Sequence, residues 1–376
     1  MMKKLIKYPF IGIFSFFVFG VMLLGIIKKD TEFSVLENRY LTAKPQLTLK
    51  KILDTSFETE YETYLNEQFP FRNEWVNLKA ASEAAIGKSE NNGIIKGKNG
   101  YLFDKQITIN KQFEKNKQEL IKFTRQIDIP VQIALVPNSY AVLSQEVPEI
   151  MPNFNQEEAM NAFYAEIIDM DLDSIDMFKT LNEHRNEYIY YRTDHHWTTL
   201  GAYYGYEAYC RARGLKPITK QELKSIEIPD FYGTYYSKYK GKGIAPDTIT
   251  YYEIPIETMI IDKEQKSSLY DIEKAETHDK YSMFLYGNNP LTIIRSKEAK
   301  ASDKVEKKLL VIKDSYANSF IPYLTYHFDE IYVVDLRYYT GAIHTLIQDN
   351  KINEVLVLYN FDTFMSDNNV YRINKQ

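Results

Sequence analysis

The hydrophobic positions near the start of the chain form one uninterrupted run. Residues 8–27 carry no charge, and Lys28, Lys29 and Asp30 end the run. About 20 apolar residues suffice to cross a bilayer as a helix. A cleaved signal peptide is the alternative, but it usually has a shorter apolar core and a small-residue cleavage site, and no such site follows this run. Residues 1–29 are therefore predicted to be a cytoplasmic start and a single-pass membrane anchor, with the remaining chain extracytoplasmic.

Residues 30–97 show a helical period of hydrophobic and polar positions. In residues 49–69 the apolar side chains recur at the spacing of one helix face, and Pro70 ends this helix because proline cannot continue a helix interior. A second helix is predicted for residues 74–85, and the glycines in residues 97–100 indicate a turn. This part is predicted to be a juxtamembrane helical region.

Residues 98–376 contain short apolar runs that alternate with helical patterns, and apolar runs are typical of strands covered on both faces. Strands are predicted at residues 131–136, 188–191, 283–286, 309–312, 331–334 and 355–358. Helices are predicted at residues 111–126, 157–169, 199–213, 317–327 and 343–349. The alternation predicts an α/β domain with a mostly parallel sheet, interrupted by a β-rich insertion at about residues 215–280.

Composition narrows the classes of function. The net charge is −5 and there is no long basic run, which argues against a nucleic-acid-binding protein. Cys210 is the one cysteine, so no disulfide can form within the chain and a cysteine-based metal site is disfavoured. No cofactor is predicted.

The first candidate for chemistry lies in residues 191–201. Asp194 and His196 are two apart, so in an extended segment they point the same way and His195 points the other way. The carboxylate can then hold an imidazole in one tautomer and stabilise its charged form. Trp197 could shield the site from water, and Thr198 can cap the following helix. The alternatives are a zinc site built by Asp194, His195 and His196, or a packed histidine pair.

The second candidate is Ser315, which follows Asp314 at the end of an apolar run and precedes a predicted helix. This order places a serine hydroxyl at the carboxyl end of a parallel strand, where open α/β sheets bind ligands. The helix start adds unpaired N–H groups that can stabilise an oxyanion. The segment is not a G-x-S-x-G elbow, so the α/β-hydrolase fold is not indicated. A simple helix cap is the alternative for Asp-Ser in this position.

Together the two segments resemble those of the DHHW proteins, which look related to the alginate O-acetyltransferases AlgJ and AlgX in the SGNH hydrolase-like superfamily. The signature corresponds to Thr193-Asp194-His195-His196-Trp197-Thr198. The similarity extends to Glu37-Asn38-Arg39, Phe69-Pro70-Phe71-Arg72, Gly100-Tyr101-Leu102-Phe103, Lys313-Asp314-Ser315-Tyr316 and Asp335-Leu336-Arg337. The resemblance implies an SGNH hydrolase-like three-layer fold.

Carried over by motif, the resemblance implies that Ser315 is the nucleophile, His196 the general base and Asp194 the residue that orients the base. His195 is a departure, because the alginate enzymes have another residue type there. This difference leaves open which histidine does the chemistry.

The function that the resemblance implies is an extracytoplasmic O-acetyltransferase acting on a cell-surface polysaccharide through an acyl-enzyme. The implied partners are the polysaccharide and a membrane-bound O-acyltransferase that supplies acetyl groups. An acetyl esterase with the same three residues is an alternative, and so is a non-catalytic carbohydrate-binding relative.

The order of the strands predicts a circular permutation. In ordinary SGNH enzymes the serine strand comes first, whereas here it comes late and is followed by the strands predicted at 331–334 and 355–358. In a permuted sheet, strand 131–136 would lie beside strand 355–358. Asn360 would then occupy the oxyanion position with Arg337 on the same rim, although asparagine is also common as a turn or cap residue. Tyr316, His195 and Trp197 complete the predicted oxyanion- or substrate-binding residues.

Overall fold

The computed structural model describes residues 9–34, 39–85, 88–105, 108–151, 154–170, 172–241, 243–297 and 306–375. They fall into two compact units, one of Met1–Asn91 with Lys240–Lys242 and one of Asn92–Tyr239 with Gly243–Gln376. Lys3, Lys4 and Lys7, which precede the apolar run, and Glu37 and Asn38 of the motif quoted above lie outside the described residues.

The first unit contains the predicted apolar helix, α1, over Pro9–Ile27. Within the described part of the chain, it is the one helix long and apolar enough to cross a membrane. The other elements are β1 (Phe33–Ser34), β2 (Arg39–Tyr40), α2 (Leu49–Leu53), α3 (Ser56–Glu67), α4 (Arg72–Ala85) and β3 (Glu90–Asn91). The single helix predicted for residues 49–69 is thus two helices, because Thr55 adopts a left-handed conformation with φ of 59° between them.

The second unit is a mixed α/β domain built on a mostly parallel central sheet. Its strands are β4 (Ile94–Lys96), β5 (Leu102–Asp104), β6 (Val131–Val136), β7 (Asp173–Ser174), β8 (Ser225–Phe231), β9 (Asp247–Tyr252), β10 (Ile256–Ile261), β11 (Glu264–Lys266), β12 (Leu291–Ser296), β13 (Lys308–Lys313), β14 (Glu330–Val334) and β15 (Glu354–Asn360). Among the described residues, eight of these strands form the central sheet in the order β11-β10-β12-β14-β13-β15-β6-β7.

The parallel part of the sheet runs from β14 to β7. Strands β14, β13, β15, β6 and β7 are parallel, whereas β12, β10 and β11 pair antiparallel at one edge. The four strands predicted as apolar runs at 131–136, 309–312, 331–334 and 355–358 are confirmed as β6, β13, β14 and β15. The early strand β6 pairs with the last strand β15, with Val131 opposite Val355, as predicted.

Helices connect and cover these strands. The second unit contains α5 (Lys111–Thr124), α6 (Ser139–Val142), α7 (Gln156–Asp169), α8 (Met177–Glu183), α9 (Thr199–Arg213), α10 (Thr234–Tyr239), α11 (Ile321–Leu324), α12 (Ile343–Asn350) and α13 (Phe361–Ser366). Short 3₁₀ helices lie at Lys98–Gly100, Lys220–Glu222, Ile272–Glu276, Lys280–Met283, Ser315–Ser319 and Val370–Asn374. The predictions for residues 111–126, 157–169, 199–213 and 343–349 are confirmed to within a few residues.

Two strand predictions are wrong, and one helix prediction is confirmed only in part. Residues 188–191 are not a strand and form only an isolated bridge between Tyr190 and Trp197. Met283 ends the 3₁₀ helix Lys280–Met283, Phe284 forms only an isolated bridge with Tyr270, and Leu285 and Tyr286 have positive φ, so no strand forms at residues 283–286. The helix predicted for 317–327 is the 3₁₀ helix Ser315–Ser319 followed by α11. The two stretches predicted as strands are apolar or aromatic and largely buried, and burial alone does not determine the backbone conformation.

The region predicted as a β-rich insertion, residues 215–280, contains four strands in two different sheets. Strands β8 and β9 form an antiparallel hairpin of their own. Strands β10 and β11 instead extend the central sheet, because β10 pairs with β12. Strand β12 was not predicted, since an antiparallel strand near the sheet edge alternates buried and partly exposed residues and lacks a continuous apolar run.

Candidate active site

The carboxyl end of β13 positions Ser315. Asp314 follows the strand and caps the 3₁₀ helix Ser315–Ser319 by accepting a hydrogen bond from Tyr316 N at 3.0 Å. Its other carboxylate oxygen accepts from Asn360 N at 3.0 Å, so Asp314 also joins the ends of the neighbouring strands β13 and β15. Ser315 is partly exposed and lies at the first residue of the 3₁₀ helix.

The structure brings Ser315, His196 and Asp194 into one hydrogen-bonded chain. Ser315 Oγ lies 2.8 Å from His196 Nε2, and His196 Nδ1 lies 2.5 Å from Asp194 Oδ1. His196 and Asp194 are 5% and 2% exposed. With Nδ1–H donated to the carboxylate, Nε2 is free to accept the serine proton, which is the arrangement that acyl-transfer chemistry requires.

The backbone around Asp194 differs from the predicted extended strand. The segment from Arg192 to His196 is a series of bends, and His196 N donates to Asp194 Oδ1 at 3.0 Å. Asp194 and His196 therefore meet because the carboxylate closes a local turn of the kind that aspartate commonly forms. The spacing of two residues predicted that the side chains of Asp194 and His196 meet, but they meet through a turn and not in an extended strand.

Electrostatics in the site favour a neutral His196 next to an ionised Asp194. Burial would raise the pKa of the Asp194 carboxyl, but the two histidines outweigh burial and hold that pKa well below its usual range. Burial and the charge of His195 together lower the pKa of His196 to about 4, with Asp194 acting in the opposite direction. Burial also disfavours charge on His195, yet the Asp194 carboxylate raises the pKa of His195.

Two aromatic rings pack against the imidazole of His196. Tyr281 stacks on it with ring centroids 3.7 Å apart and an interplanar angle of 10°, and the His195 ring lies 3.7 Å away on a tilted plane. The Tyr281 hydroxyl also donates to Ser315 O at 3.2 Å and lies 3.1 Å from Ser319 Oγ. Tyr281 was not predicted, because it lies in a stretch with no recognisable motif, and only the fold places it against His196.

His195 occupies a different position from His196. Its Nδ1 lies 2.7 Å from Thr234 Oγ1 and 3.5 Å from Asp194 Oδ1. Its side chain is 32% exposed. Within the described ranges, no hydrogen bond joins His195 to Ser315, so of the two histidines it is His196 whose ring nitrogen contacts the serine hydroxyl.

Trp197 and Tyr316 connect the segment that contains His196 with the segment that contains Ser315. The Trp197 indole N–H donates to Tyr316 O at 2.9 Å, and the Tyr316 hydroxyl donates to His195 O. Both side chains are fully buried. Because neither ring reaches solvent, these two predicted binding residues are placed to hold the His196 segment against the Ser315 segment.

Asn360 and Arg337 lie at the carboxyl ends of the strands that flank β13. Asn360 Oδ1 caps α13 by accepting from Asp362 N and Thr363 N, and its Nδ2 donates to Val136 O at 3.2 Å and Asn138 Oδ1 at 3.1 Å. These contacts match the helix-cap interpretation of Asn360, and its oxyanion role stays a prediction.

The Arg337 guanidinium binds both carboxylate oxygens of Asp335, at 2.9 and 2.6 Å, and its side chain is 30% exposed. Arg337 also contributes to the low pKa of His196, because its positive charge opposes protonation of the imidazole. The guanidinium is therefore close enough to act electrostatically on this rim of the site.

A buried lysine lies two residues before Ser315. Lys313 donates to Asn318 Oδ1 at 2.7 Å and to Asn288 Oδ1 at 2.8 Å, and its Nζ is 3.8 Å from Asp335 Oδ2. Burial lowers the pKa of Lys313 to about 8. Lys313 and Arg337 thus both pair with the buried carboxylate of Asp335. These two ion pairs fix the end of β13 relative to the end of β14.

Among the described residues, the group of side chains that could hold a metal ion consists of the same Asp194, His195 and His196. Potential ligand atoms of Asp194, His195 and His196 lie within 4.8 Å of one another. In the observed geometry, however, His196 Nδ1 is bonded to Asp194 and His196 Nε2 to Ser315. A metal bound through His196 would have to replace one of these hydrogen bonds.

We expect activity that depends on neutral His196 to persist at unusually low pH. An ordinary histidine base loses half of its activity near its pKa of about 6.5, whereas a pKa of about 4 keeps His196 neutral throughout pH 5–8. The acid limb of kcat/KM for a small acetyl ester should therefore lie well below pH 6. In His195→Gln the limb should move to higher pH, because a neighbouring positive charge is removed. An acid limb at pH 6.5 in both proteins would contradict this electrostatic description.

The chain is similar to one protein family and to several proteins of known structure. A family model described as "DHHW protein" matches residues 130–334. The structure of a DHHW family protein from Eubacterium siraeum is 26% identical with a TM-score of 0.64, and the match covers 76% of this chain and 96% of that chain. The structure of Bacillus cereus PatB1 with a sulfonyl adduct is 22% identical with a TM-score of 0.61, covering 75% and 98%.

Among curated proteins, the probable alginate O-acetylase AlgJ of Pseudomonas aeruginosa is 23% identical over 159 residues, which are 40% of this chain. The match spans 41% of the length of that relative.

Proposed function

The chain belongs to the DHHW protein family, and from this premise we propose that it is an extracytoplasmic O-acetyltransferase acting on a cell-surface polysaccharide. The proposal is carried by one observation, the hydrogen-bonded chain from Ser315 Oγ through His196 to Asp194. The name of the curated relative, an alginate O-acetylase, supports acetyl transfer to a glycan as the reaction.

The proposed reaction has two acyl-transfer steps. Ser315 Oγ attacks the carbonyl carbon of an acetyl ester while its proton passes to His196 Nε2. The tetrahedral intermediate collapses, the donor oxygen leaves with the proton from His196, and the acetyl group remains on Ser315. A sugar hydroxyl then gives its proton to His196 and attacks the acetyl-serine. Collapse of the second intermediate returns that proton to Ser315 and releases the acetylated sugar.

Each residue has a role that its contacts support. Asp194 holds His196 in the tautomer that leaves Nε2 unprotonated, and it stabilises the imidazolium formed in each step. The Ser315 N–H belongs to the first residue of a short helix, where backbone donors lack helical partners, and is the proposed main donor to the oxyanion. Arg337 adds positive charge on the same rim.

The proposed fold assignment is an SGNH hydrolase-like three-layer domain with a circularly permuted strand order. The serine strand β13 comes late in the chain and its neighbour β15 pairs with the early strand β6. In this proposal residues 98–376 form the catalytic domain, residues 30–97 form the juxtamembrane region, and hairpin β8–β9 is the inserted part of residues 215–280.

The choice between transfer and hydrolysis can be tested directly. We expect the purified protein, given an activated acetyl ester and an oligosaccharide of the native surface glycan, to form O-acetylated oligosaccharide faster than free acetate. The Ser315→Ala variant is the control for uncatalysed transfer. Mass spectrometry of the oligosaccharide and an acetate assay measure the two products. Release of acetate alone, at a rate unaffected by the oligosaccharide, would identify an acetyl esterase instead.

The proposed location is the outer side of the cell membrane, with α1 as an uncleaved anchor. Helix α1 is 19 residues long and carries no charged residue. A membrane-bound O-acyltransferase is the proposed partner, because acetyl groups activated in the cytoplasm must cross the bilayer before they reach Ser315.

We expect protease added to intact cells to digest the catalytic domain and to leave a membrane-bound N-terminal fragment. A cytoplasmic marker protein should survive the same treatment. A mature protein whose N-terminal sequence starts near residue 28 would show that the segment is a cleaved signal peptide.

A further inference from the structure

Asp247, at the first residue of β9, is a buried carboxylate that sequence motifs did not indicate. Its side chain is 0% exposed, and its Oδ1 lies 3.9 Å from Arg192 Nη1. A charge in such a position is costly unless hydrogen bonds replace its hydration. The hydrogen bonds that replace the hydration of Asp247 therefore indicate what its carboxylate does.

All of these contacts go to residues 188–193, directly before Asp194. Asp247 Oδ1 accepts from Arg192 N at 3.1 Å and from the Tyr188 hydroxyl. Asp247 Oδ2 accepts from Thr193 N at 2.8 Å and Thr193 Oγ1 at 2.6 Å. Hydrogen bonds to an ionised acceptor are stronger than neutral ones. Two consecutive backbone N–H groups, which no sheet uses here, are thus fixed by one side chain.

The same hairpin region also holds Asp194 from its other side. Thr234 donates to Asp194 Oδ2 from its backbone N–H at 2.8 Å and from its hydroxyl at 3.1 Å. Gly233 N donates to Thr193 Oγ1 at 3.1 Å. A Cβ on Gly233 would lie 2.2 Å from Asp194 Cβ, so only glycine allows this close approach. Asp194 is therefore held by its own bond to His196 and by residues of the β8–β9 connection.

We infer that Asp247 is a positioning residue for the Asp194–His196 pair, acting by fixing the backbone of Arg192 and Thr193. This inference rests on the proposed function of Ser315, His196 and Asp194. It also gives hairpin β8–β9 a purpose, because the hairpin supplies Asp247, Gly233 and Thr234 to a segment that has no regular secondary structure. A misplacement of the acid–base pair by about 1 Å can slow the reaction by about 100-fold.

The first test replaces the carboxylate by an amide. In Asp247→Asn one acceptor oxygen becomes an NH₂ group that faces N–H and O–H donors, so the segment must move. We expect kcat for a small acetyl ester, and the rate at which a sulfonyl fluoride labels Ser315, to fall together by roughly 10- to 100-fold with KM little changed. Unchanged kcat and labelling in a folded variant would overturn the inference.

A matched control separates positioning from stability. Glu330 is also a largely buried carboxylate, bonded to Arg295 Nε at 3.0 Å and within 3.0 Å of Lys308 Nζ, but it lies at the amino end of β14, the opposite end from Asp335 and Arg337. Glu330→Gln should lower the unfolding temperature and leave kcat within about threefold, because a lost buried ion pair affects stability and not the site. An equal loss of kcat in both variants would reduce Asp247 to a stability residue and contradict the inference.

A second pair of variants decides the question if Asp247→Asn does not fold. Thr193→Val keeps the shape of the side chain but removes the hydroxyl that Asp247 and Gly233 bind, whereas Thr193→Ser retains that hydroxyl. We expect Thr193→Val to lose kcat and Thr193→Ser to recover most of it. Equal activity of the two variants would overturn the inference.

Proton NMR distinguishes failure of this inference from failure of the proposed function. The His196 Nδ1 proton, bonded to Asp194, should give a far-downfield resonance in the wild-type protein whether or not it turns over esters. In Thr193→Val or Asp247→Asn this resonance should shift upfield or broaden, and in Glu330→Gln it should stay. An unchanged resonance in all variants contradicts the role of Asp247. A normal resonance without turnover or Ser315 labelling in the wild type contradicts the proposed function instead.

Discussion

Replacement of Ser315 by alanine should abolish turnover of a small acetyl ester, with a loss of roughly 10⁴-fold or more. The reason is that no other hydroxyl in the described residues is hydrogen-bonded to His196 Nε2, so the variant has no nucleophile to form the acyl-enzyme. Folding should be little affected, since one hydrogen bond at a partly exposed position contributes only about 1 kcal/mol. Steady-state kinetics and thermal unfolding measure both effects.

Intact-mass analysis makes the Ser315 prediction specific. After incubation with an activated acetyl ester, the wild-type protein should carry one acetyl group and Ser315→Ala none. Ser319→Ala is the matched control, because Ser319 lies in the same 3₁₀ helix with its hydroxyl 3.1 Å from the Tyr281 hydroxyl, and no hydrogen bond joins it to His196 among the described residues. Wild-type turnover by Ser315→Ala, or acetylation that persists in it, would remove Ser315 from the mechanism.

The second large effect is expected for His196, and a small one for His195. His196→Ala removes the group that accepts the serine proton, so kcat should fall by about 10⁴-fold at neutral pH. His195→Ala should cost less than about 100-fold, because the His195 ring contacts Asp194 and Thr234 and only packs beside the base. Both variants are compared with the wild-type protein at pH 7, where the wild-type His196, with a pKa of about 4, is neutral.

The opposite ranking of the two histidine variants would show that His195 is the base. Loss of wild-type activity during dialysis against a chelator, with recovery on addition of zinc, would support the alternative in which Asp194, His195 and His196 bind a metal. Activity that a chelator does not affect, combined with the predicted ranking, leaves the proton-transfer role of His196 as the explanation.

Some features of this protein could be recognised from particular residues of the sequence. The runs that became β6, β13, β14 and β15 were predictable because strands buried on both faces need apolar residues at every position. The apolar helix α1 was predictable for a similar reason, since membrane-spanning length and absence of charge are properties of a continuous segment.

Other features could not be predicted because they depend on residues far apart in the chain. Residues 188–191 and 283–286 are apolar and aromatic like strands, yet neither pairs into a sheet. Tyr281 stacks on His196 from a segment with no motif, and Asp247 bonds to Thr193 across 54 positions of sequence. When a hydrogen-bond partner lies in a distant element, the sequence around neither residue shows a hydrophobic period that would indicate the contact.

The sequence by itself determined which side chains are candidates for the chemistry and that Ser315 stands at the end of a buried strand before a helix, because these properties are local. Only the tertiary structure decided that His196 and not His195 contacts Ser315, across 119 positions, and that Asp194 meets His196 through a turn. It also decided that Asn360 caps a helix. The physical reason is that hydrogen-bond geometry of about 3 Å is set by the packing of several elements at one sheet edge, whereas residue type and periodicity constrain only each element alone.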